Sequence, residues 1–231
     1  LKKAADEGYK IGWVLETHVH ADHLSGAPYI RMKTGAKVGI GERIREVQKI
    51  FRPVFNASDV SGDGSEFDHL FKDGETLAVG NLEVEVIFTP GHTPACASFK
   101  IGDAIFVGDT IFMPDYGTAR ADFPGGSAKA LWDSIQRILA LPDDTRLFTG
   151  HDYQPDEREP KWESTVAEQK LSNPHIAHIH EAQFIKLRQA RDKTLPMPKL
   201  ILHALQVNVR GGRLPEPESN GRRYLKLPLD T

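Results

Sequence analysis

The chain alternates short apolar runs of strand length with longer amphipathic stretches of helical period. Ile11-Gly12-Trp13-Val14-Leu15 reads as a buried strand. Ser25 to Thr34 reads as a helix: Ser25 can cap it, Ala27, Ile30 and Met32 supply apolar contacts, and Gly35 stops it. Lys37-Val38-Gly39-Ile40 is a second strand, and Glu42 to Phe51 a further helix. Arg52 to Asp68 is a loop rich in Gly, Ser, Asp and Pro, long enough to work at a cleft edge. Strands follow at short spacing: His69-Leu70-Phe71, Glu75 to Val79, Leu82 to Thr89, Ala97 to Ile101 and Ala104 to Val107. Asp73-Gly74, Gly80-Asn81 and Gly102-Asp103 between them are turn formers. Ser127 to Leu141 has the clearest helical period, with Ala130, Leu131, Ile135, Ile138 and Leu139 on one face. Arg146 to Thr149 reads as a closing strand. From Trp162 the pattern turns helical, over Val166 to Leu171 and Glu181 to Arg191, before a Pro- and Gly-rich tail. The order predicts an α/β layered domain, with sheets covered by helices.

Composition sets the frame for that fold. A chain of 231 residues, 39% hydrophobic and 26% charged, describes a globular protein and fits one large domain as well as two small ones. A net charge of -3 offers no general attraction to nucleic acid. No apolar run approaches the roughly 18 residues of a membrane span, so no membrane partner is expected. The single cysteine, Cys96, excludes an internal disulfide and suits a reducing compartment, hence a cytoplasmic reading. Leu1 to Glu7 is a charged amphipathic helix without an initiating methionine or N-cap, so further residues are expected upstream.

The candidate chemistry lies at strand ends. Thr17-His18-Val19-His20-Ala21-Asp22-His23 follows the first strand with three imidazoles and a carboxylate, the side chains that best bind borderline transition metals. If the strand continues, alternate residues share a face. His18 and His20 then point together, Asp22 can join them, and His23 points elsewhere. Three later segments repeat the arrangement: Thr89-Pro90-Gly91-His92-Thr93, Val107-Gly108-Asp109-Thr110 and Phe148-Thr149-Gly150-His151-Asp152. Each is strand, glycine, ligand, the glycine letting the backbone turn sharply. Five of the ten histidines and two aspartates stand at strand ends. A second histidine cluster, His175, His178 and His180, lacks carboxylate companions apart from Glu181 and reads as a solvated helix start. His69 and His203 are isolated, and Cys96 reads as an inert buried residue.

His-x-His-x-Asp-His, then Gly-His-Thr, Gly-Asp and Gly-His, in this order, resembles the metallo-β-lactamase superfamily. The resemblance implies an αββα sandwich of two mixed β-sheets flanked by helices, as one domain over residues 1–231. The metal motifs fall in 11–153 and a helical and tail region in 160–231, with the family's first strands expected upstream. It implies His18, His20, His92 and Asp109 at one metal position. Asp22, His23, Asp109 and His151 fall at a second, with Asp109 bridging. True β-lactamases, flavodiiron proteins and nucleic-acid-cleaving members fit less well. The best-known β-lactamases carry a cysteine at the Gly108-Asp109 position, the flavodiiron proteins a glutamate at His20, and the nucleases a further substrate domain.

Two branches acting on glutathione derivatives remain, the glyoxalase II-type thioester hydrolases and the persulfide dioxygenases. Phe112 to Phe123 with its Arg120-Ala121-Asp122-Phe123, Gly150-His151-Asp152-Tyr153 and Glu163 to Gln169 resemble the dioxygenases. The Met113-Pro114-Asp115-Tyr116-Gly117 form and the Leu205 to Arg210 tail resemble a bacterial, β-lactamase-like subgroup of them.

The dioxygenase reading implies one Fe(II) per chain on His18, His92 and Asp109, with glutathione persulfide and O2 as substrates. His20, Asp22, His23 and His151 then lie outside the first shell or at a vacant second position. The hydrolase reading implies Zn(II) or Mn(II), one or two per chain. A non-enzymatic metal-binding scaffold is the third reading, disfavoured because structural sites are closed and cysteine-rich. Asp22, Arg120 and Tyr153 are the candidate reacting-site residues. Arg120 is placed either to meet a glutathione carboxylate or to pair with Asp122 or Asp115. Tyr153 either bonds near the metal or packs. The tail from Leu214 to Leu229 is a candidate to wrap a second subunit in a homodimer.

Overall fold

The computed structural model describes residues 1–229. In chain order its elements are α1 (Lys2–Asp6), β1 (Trp13–Glu16), α2 (Ala27–Thr34), β2 (Lys37–Gly41), α3 (Ile44–Val54) and β3 (His69–Phe71). There follow β4 (Thr76–Val79), β5 (Leu82–Phe88), β6 (Ala97–Ile101), β7 (Ala104–Gly108), α4 (Ala128–Leu139) and β8 (Arg146–Thr149). The chain continues through β9 (Glu163–Thr165), α5 (Val166–Ser172), α6 (Glu181–Asp192) and α7 (Ile201–Asn208). Two compact units emerge, one of Leu1–Phe71 with the segment from Pro196 on, the other Lys72–Leu195.

The first unit holds a three-stranded sheet in the order β1-β2-β3, parallel throughout. Parallel pairing follows from the connections, since α2 and α3 carry the chain back to the same end between strands. The helices keep their expected places with shifted ends. Ser25 stands just before α2, its hydroxyl accepting from the Ala27 amide at 3.0 Å, and Gly35 closes the helix in the left-handed region. Met32, expected to pack, is exposed instead. The core of this unit gathers Val38, Ile40, Ile44, Val47, Phe51 and Phe71.

The second unit is a six-stranded mixed sheet in the order β4-β5-β6-β7-β8-β9, antiparallel except between β7 and β8. The Gly80-Asn81 and Gly102-Asp103 turns make hairpins as expected. Asp73-Gly74 does not, because His69–Phe71 pairs with β2 and the chain passes to the other sheet. Against this sheet α4 lays Leu131, Ile135 and Ile138, all fully buried beside Ile105, Val107 and Leu147. Ser127 caps the helix, its Oγ accepting from the Ala130 amide at 3.2 Å.

Two elements escape the sequence pattern. Glu163–Thr165 is a strand paired antiparallel with β8, where a helical start was expected. Residues assigned to the tail form α7, whose Ala204, Leu205 and Val207 are buried. Among the described residues no helix is long and apolar enough to cross a membrane.

Candidate metal centre

β1 stops at Glu16 and the backbone from Thr17 to His23 bends, without helix or strand. Strand alternation therefore does not operate beyond Glu16, yet the His18 and His20 rings lie together at 4.3 Å as expected, and only the placing of His23 is corrected. The His20 and His23 rings stack at 4.4 Å, and ligand atoms of His20, Asp22 and His23 all lie within 4.8 Å of one another. His23, expected to point elsewhere, thus joins His20 and Asp22. His18 is 2% exposed, and its Nδ1 lies 3.0 Å from the Thr17 hydroxyl. The His20 Nε2 lies 3.4 Å from the Glu16 carboxylate, which also accepts the Ser25 hydroxyl. Asp22 and His23 reach toward solvent, their side chains 42% and 45% exposed.

In the second unit the glycine-ligand turns follow the sheet. β5 runs out through Thr89-Pro90 to Gly91, whose φ of +142° a larger residue would adopt only under strain. A Cβ there would lie 2.3 Å from the Leu131 backbone, so glycine also lets α4 approach. His92 follows, and its Nδ1–H donates to the Arg120 carbonyl at 2.9 Å, leaving Nε2 as the ligand nitrogen.

Asp109 and His151 stand just past two neighbouring parallel strands, β7 and β8, which end side by side. The Asp109 Oδ2 lies 3.5 Å from the His151 Nε2 and 4.0 Å from the His92 Nε2. One carboxylate oxygen thus faces two imidazoles, a donor set that suits a transition metal. Gly150 leaves room for the Asp109 carboxylate: a Cβ there would come within 2.6 Å of the Asp109 Oδ1.

The loop carrying Arg120 is held from behind. Arg120 donates to Asp122 at 2.6 and 2.8 Å, the bracing arrangement. That carboxylate raises the Arg120 guanidinium above its ordinary value, and the guanidinium in turn lowers Asp122. Asp115 pairs with Arg158 instead, as does Asp152, whose carboxyl the Arg158 hydrogen bonds hold down at about 2. Asp192 on α6 accepts the Ala121 amide at 2.9 Å, and Arg188 donates to the Thr118 carbonyl at 3.0 Å. Arg188 and Asp192 are themselves a buried pair at 2.7 Å. Tyr153 packs its half-exposed ring on Tyr116 at 4.3 Å, with Phe112 edge-on at 5.2 Å.

The histidine cluster after α5 divides. His178 and His180 are exposed, as a solvated helix start requires. His175 is buried, its Nδ1 accepting from the Thr118 amide at 2.9 Å. Burial, helped by Arg188 and Arg191, pushes its imidazole down to about 4. Cys96 is buried with its sulfur beside the Thr93 hydroxyl at 3.1 Å, in keeping with an inert role.

Sequence reasoning passed over Glu16, which continues the run of ligand-type residues and was open to notice. It also passed over Arg188 and Asp192, whose four-residue spacing normally marks a solvated helix face. Asn208, whose side chain bonds within the His20–Ser25 turn, had no local signal at all.

The model of the metallo-beta-lactamase superfamily matches residues 1–151. A beta-lactamase hydrolase-like protein of Xylella fastidiosa is 62% identical over 230 residues, covering 100% of this chain and 53% of that protein. Glyoxylase B2 of Dictyostelium discoideum is 52% identical over 222 residues, 94% of this chain and 76% of the relative. The mitochondrial persulfide dioxygenase ETHE1 of Homo sapiens is 29% identical over 208 residues, 89% of this chain and 71% of that one. Among solved structures, ETHE1 from Myxococcus xanthus matches with a TM-score of 0.74 at 30% identity, covering 92% of this chain and 82% of its own. The chain spans about half the length of the beta-lactamase hydrolase-like relatives it matches. With its imidazole and carboxylate donors at strand ends and an α/β fold of this kind, the chain belongs to the metallo-β-lactamase superfamily.

Proposed function

We propose that the chain is an iron-dependent persulfide dioxygenase that oxidises glutathione persulfide to sulfite and glutathione. In this reading His18, His92 and Asp109 hold one Fe(II), a two-histidine, one-carboxylate set. The overall change balances as glutathione persulfide plus O2 plus water giving glutathione, sulfite and two protons. The outer sulfur is oxidised and O2 is reduced.

The observation that carries the one-metal reading is the inequality among the ligands. His18 and Asp109 are buried, and the His92 Nδ1–H donates to the Arg120 carbonyl, which turns the Nε2 lone pair to a metal. His20 instead faces the Glu16 carboxylate, and Asp22 and His23 reach toward solvent. Fe(II) held by His18, His92 and Asp109 would supply the redox chemistry that the oxidation of a persulfide by O2 needs. Arg120 is braced by both oxygens of Asp122, so a glutathione carboxylate would meet its guanidinium only alongside that pair. The Tyr116–Tyr153 stack beside His151 offers an apolar wall for the peptide. The persulfide dioxygenase and ETHE1 likenesses support this choice.

A second reading, a dinuclear thioester hydrolase of glyoxalase II type, draws on Asp109, whose one oxygen faces both His92 and His151. The Glyoxylase B2 likeness points the same way. Oxygen consumption by the Fe(II)-loaded, anaerobically purified protein separates the two. Uptake on adding glutathione persulfide, with sulfite formed, is the expected result. No uptake from protein holding one iron, together with Zn(II)-dependent hydrolysis of a glutathione thioester, would replace the dioxygenase by the hydrolase.

A further inference from the structure

The turn from Thr17 to His23 carries four candidate ligands yet has no helix or strand of its own to hold it. Its backbone is held instead from the far end of the chain. Asn208, the last residue of α7, is 4% exposed. Its Nδ2 donates to the His20 carbonyl and to the His23 carbonyl, each at 2.8 Å. Its Oδ1 accepts the Ser25 amide at 3.0 Å. Both amide hydrogens and the carbonyl are thereby used. The orientation follows from chemistry, since two carbonyls require a donor and an N–H requires an acceptor.

The platform behind this carboxamide is held at several points. Arg210 pairs with Asp59 at 2.7 Å, and Gln48 donates to the Val209 carbonyl at 3.0 Å. Gly212, with φ of +81°, lets the chain pass α2, because a Cβ there would lie 2.2 Å from the Pro28 ring. Within the turn itself Glu16 takes the Ser25 hydroxyl and faces the His20 ring. The backbone of the ligand turn is fixed by Asn208 and one of its rings by Glu16.

We infer that Asn208 is a positioning residue for metal binding, fixing through the two carbonyls that its carboxamide grips the turn that presents His18 to the metal. This rests on the reading of Thr17–His23 as a metal-binding turn. Groups that orient ligands from outside the first shell typically change metal affinity by about 10–100-fold when lost. The isosteric Asn208→Asp change is the sharpest probe, since it removes both donors and sets a carboxylate against two carbonyl oxygens.

Co(II) titration of the metal-free chain, followed by its visible absorption, tests the inference alongside thermal unfolding of the metal-free forms. Asn208→Ala and Asn208→Asp are expected to weaken Co(II) binding about 10–100-fold and to alter the absorption that reports coordination. Gln206→Ala is the reference for a merely structural role. Gln206 lies on the same helix and its side chain holds the Lys226 backbone at 2.7 and 2.8 Å, away from the Asn208 grip on the turn. It is expected to lower the melting temperature while leaving Co(II) affinity unchanged. Asn208 variants that bind Co(II) as tightly as the parent, or that lose affinity only as much as Gln206→Ala does, would overturn the positioning role. A parent chain that took up no Co(II) would overturn the metal-site reading and this role with it.

Discussion

Two ligand-bearing regions of this chain reach the same chemistry by different means. In the second unit Asp109 and His151 are set by the ends of adjacent parallel strands, and His92 by a turn that α4 presses against. Sheet register and a close-packed helix do the positioning, so the ligands inherit the precision of the core. In the first unit the ligands sit on an irregular turn just past β1, and a side chain almost two hundred residues away secures its backbone. The first arrangement is written in local sequence as strand, glycine, ligand. The second needs a partner that no local pattern announces, and it leaves Asp22 and His23 partly in solvent.

The largest expected effect comes from removing ligands across that divide. With one iron on the His18, His92 and Asp109 triad, His18→Ala, His92→Ala and Asp109→Ala are each expected to leave the anaerobically loaded protein without iron, and oxygen uptake to fall to background. His23→Ala and His20→Ala retain iron. Metal analysis reads this directly, and iron lost as completely from His23→Ala as from His18→Ala would erase the distinction between the two kinds of ligand.

A smaller effect sharpens the account of how the second region is held. His175 accepts the Thr118 amide under the loop that carries Arg120, and its imidazole is pushed from 6.5 to about 4. The folded protein therefore keeps it neutral where the unfolded chain would take up a proton. Its contribution is whole above pH 6.5, is lost as pH falls from 6.5 to about 4, and is level below that. Over this window the loss amounts to about 3 kcal/mol. Denaturant unfolding across the range should show that slope in the parent and not in His175→Asn. Equal slopes in the two proteins would remove His175 from the supports of the loop.

The smallest effect addresses how tightly the sheet constrains Asp109. Gly150→Ala places a methyl 2.6 Å from the Asp109 Oδ1, and the carboxylate must shift. Iron affinity is expected to fall about tenfold, at the lower end of the range for outer-shell changes, with the fold kept. Unchanged affinity, measured by chelator competition, would mean that the carboxylate has room to move and that register alone does not set it.

Much of this was legible from local pattern. The Leu131, Ile135 and Ile138 stripe marks α4 because burial of one helix face imposes its period on the residues. The strand-glycine-ligand segments mark Asp109, His92 and His151 because a sharp turn at a strand end needs a residue without a side chain. Other elements were not legible. Glu163–Thr165 is polar and too short to show an alternation, and it is a strand because β8 offers it an edge. The α7 segment, flanked by Pro198 and Gly211, resembles a tail until its buried residues find a core.

By itself the sequence determined the superfamily, the α/β class and the ligand types, since these depend on which residues follow which strands. Only the tertiary structure decided how the ligands divide. It curled His23 back onto His20, set Glu16 against that ring, paired Arg120 with Asp122, buried His175 and brought Asn208 to the metal turn. The physical reason is the range of the forces involved. Backbone propensity and hydrophobic period act over a few neighbouring residues, whereas a hydrogen bond is blind to sequence separation and acts wherever folding brings donor and acceptor within about 3 Å.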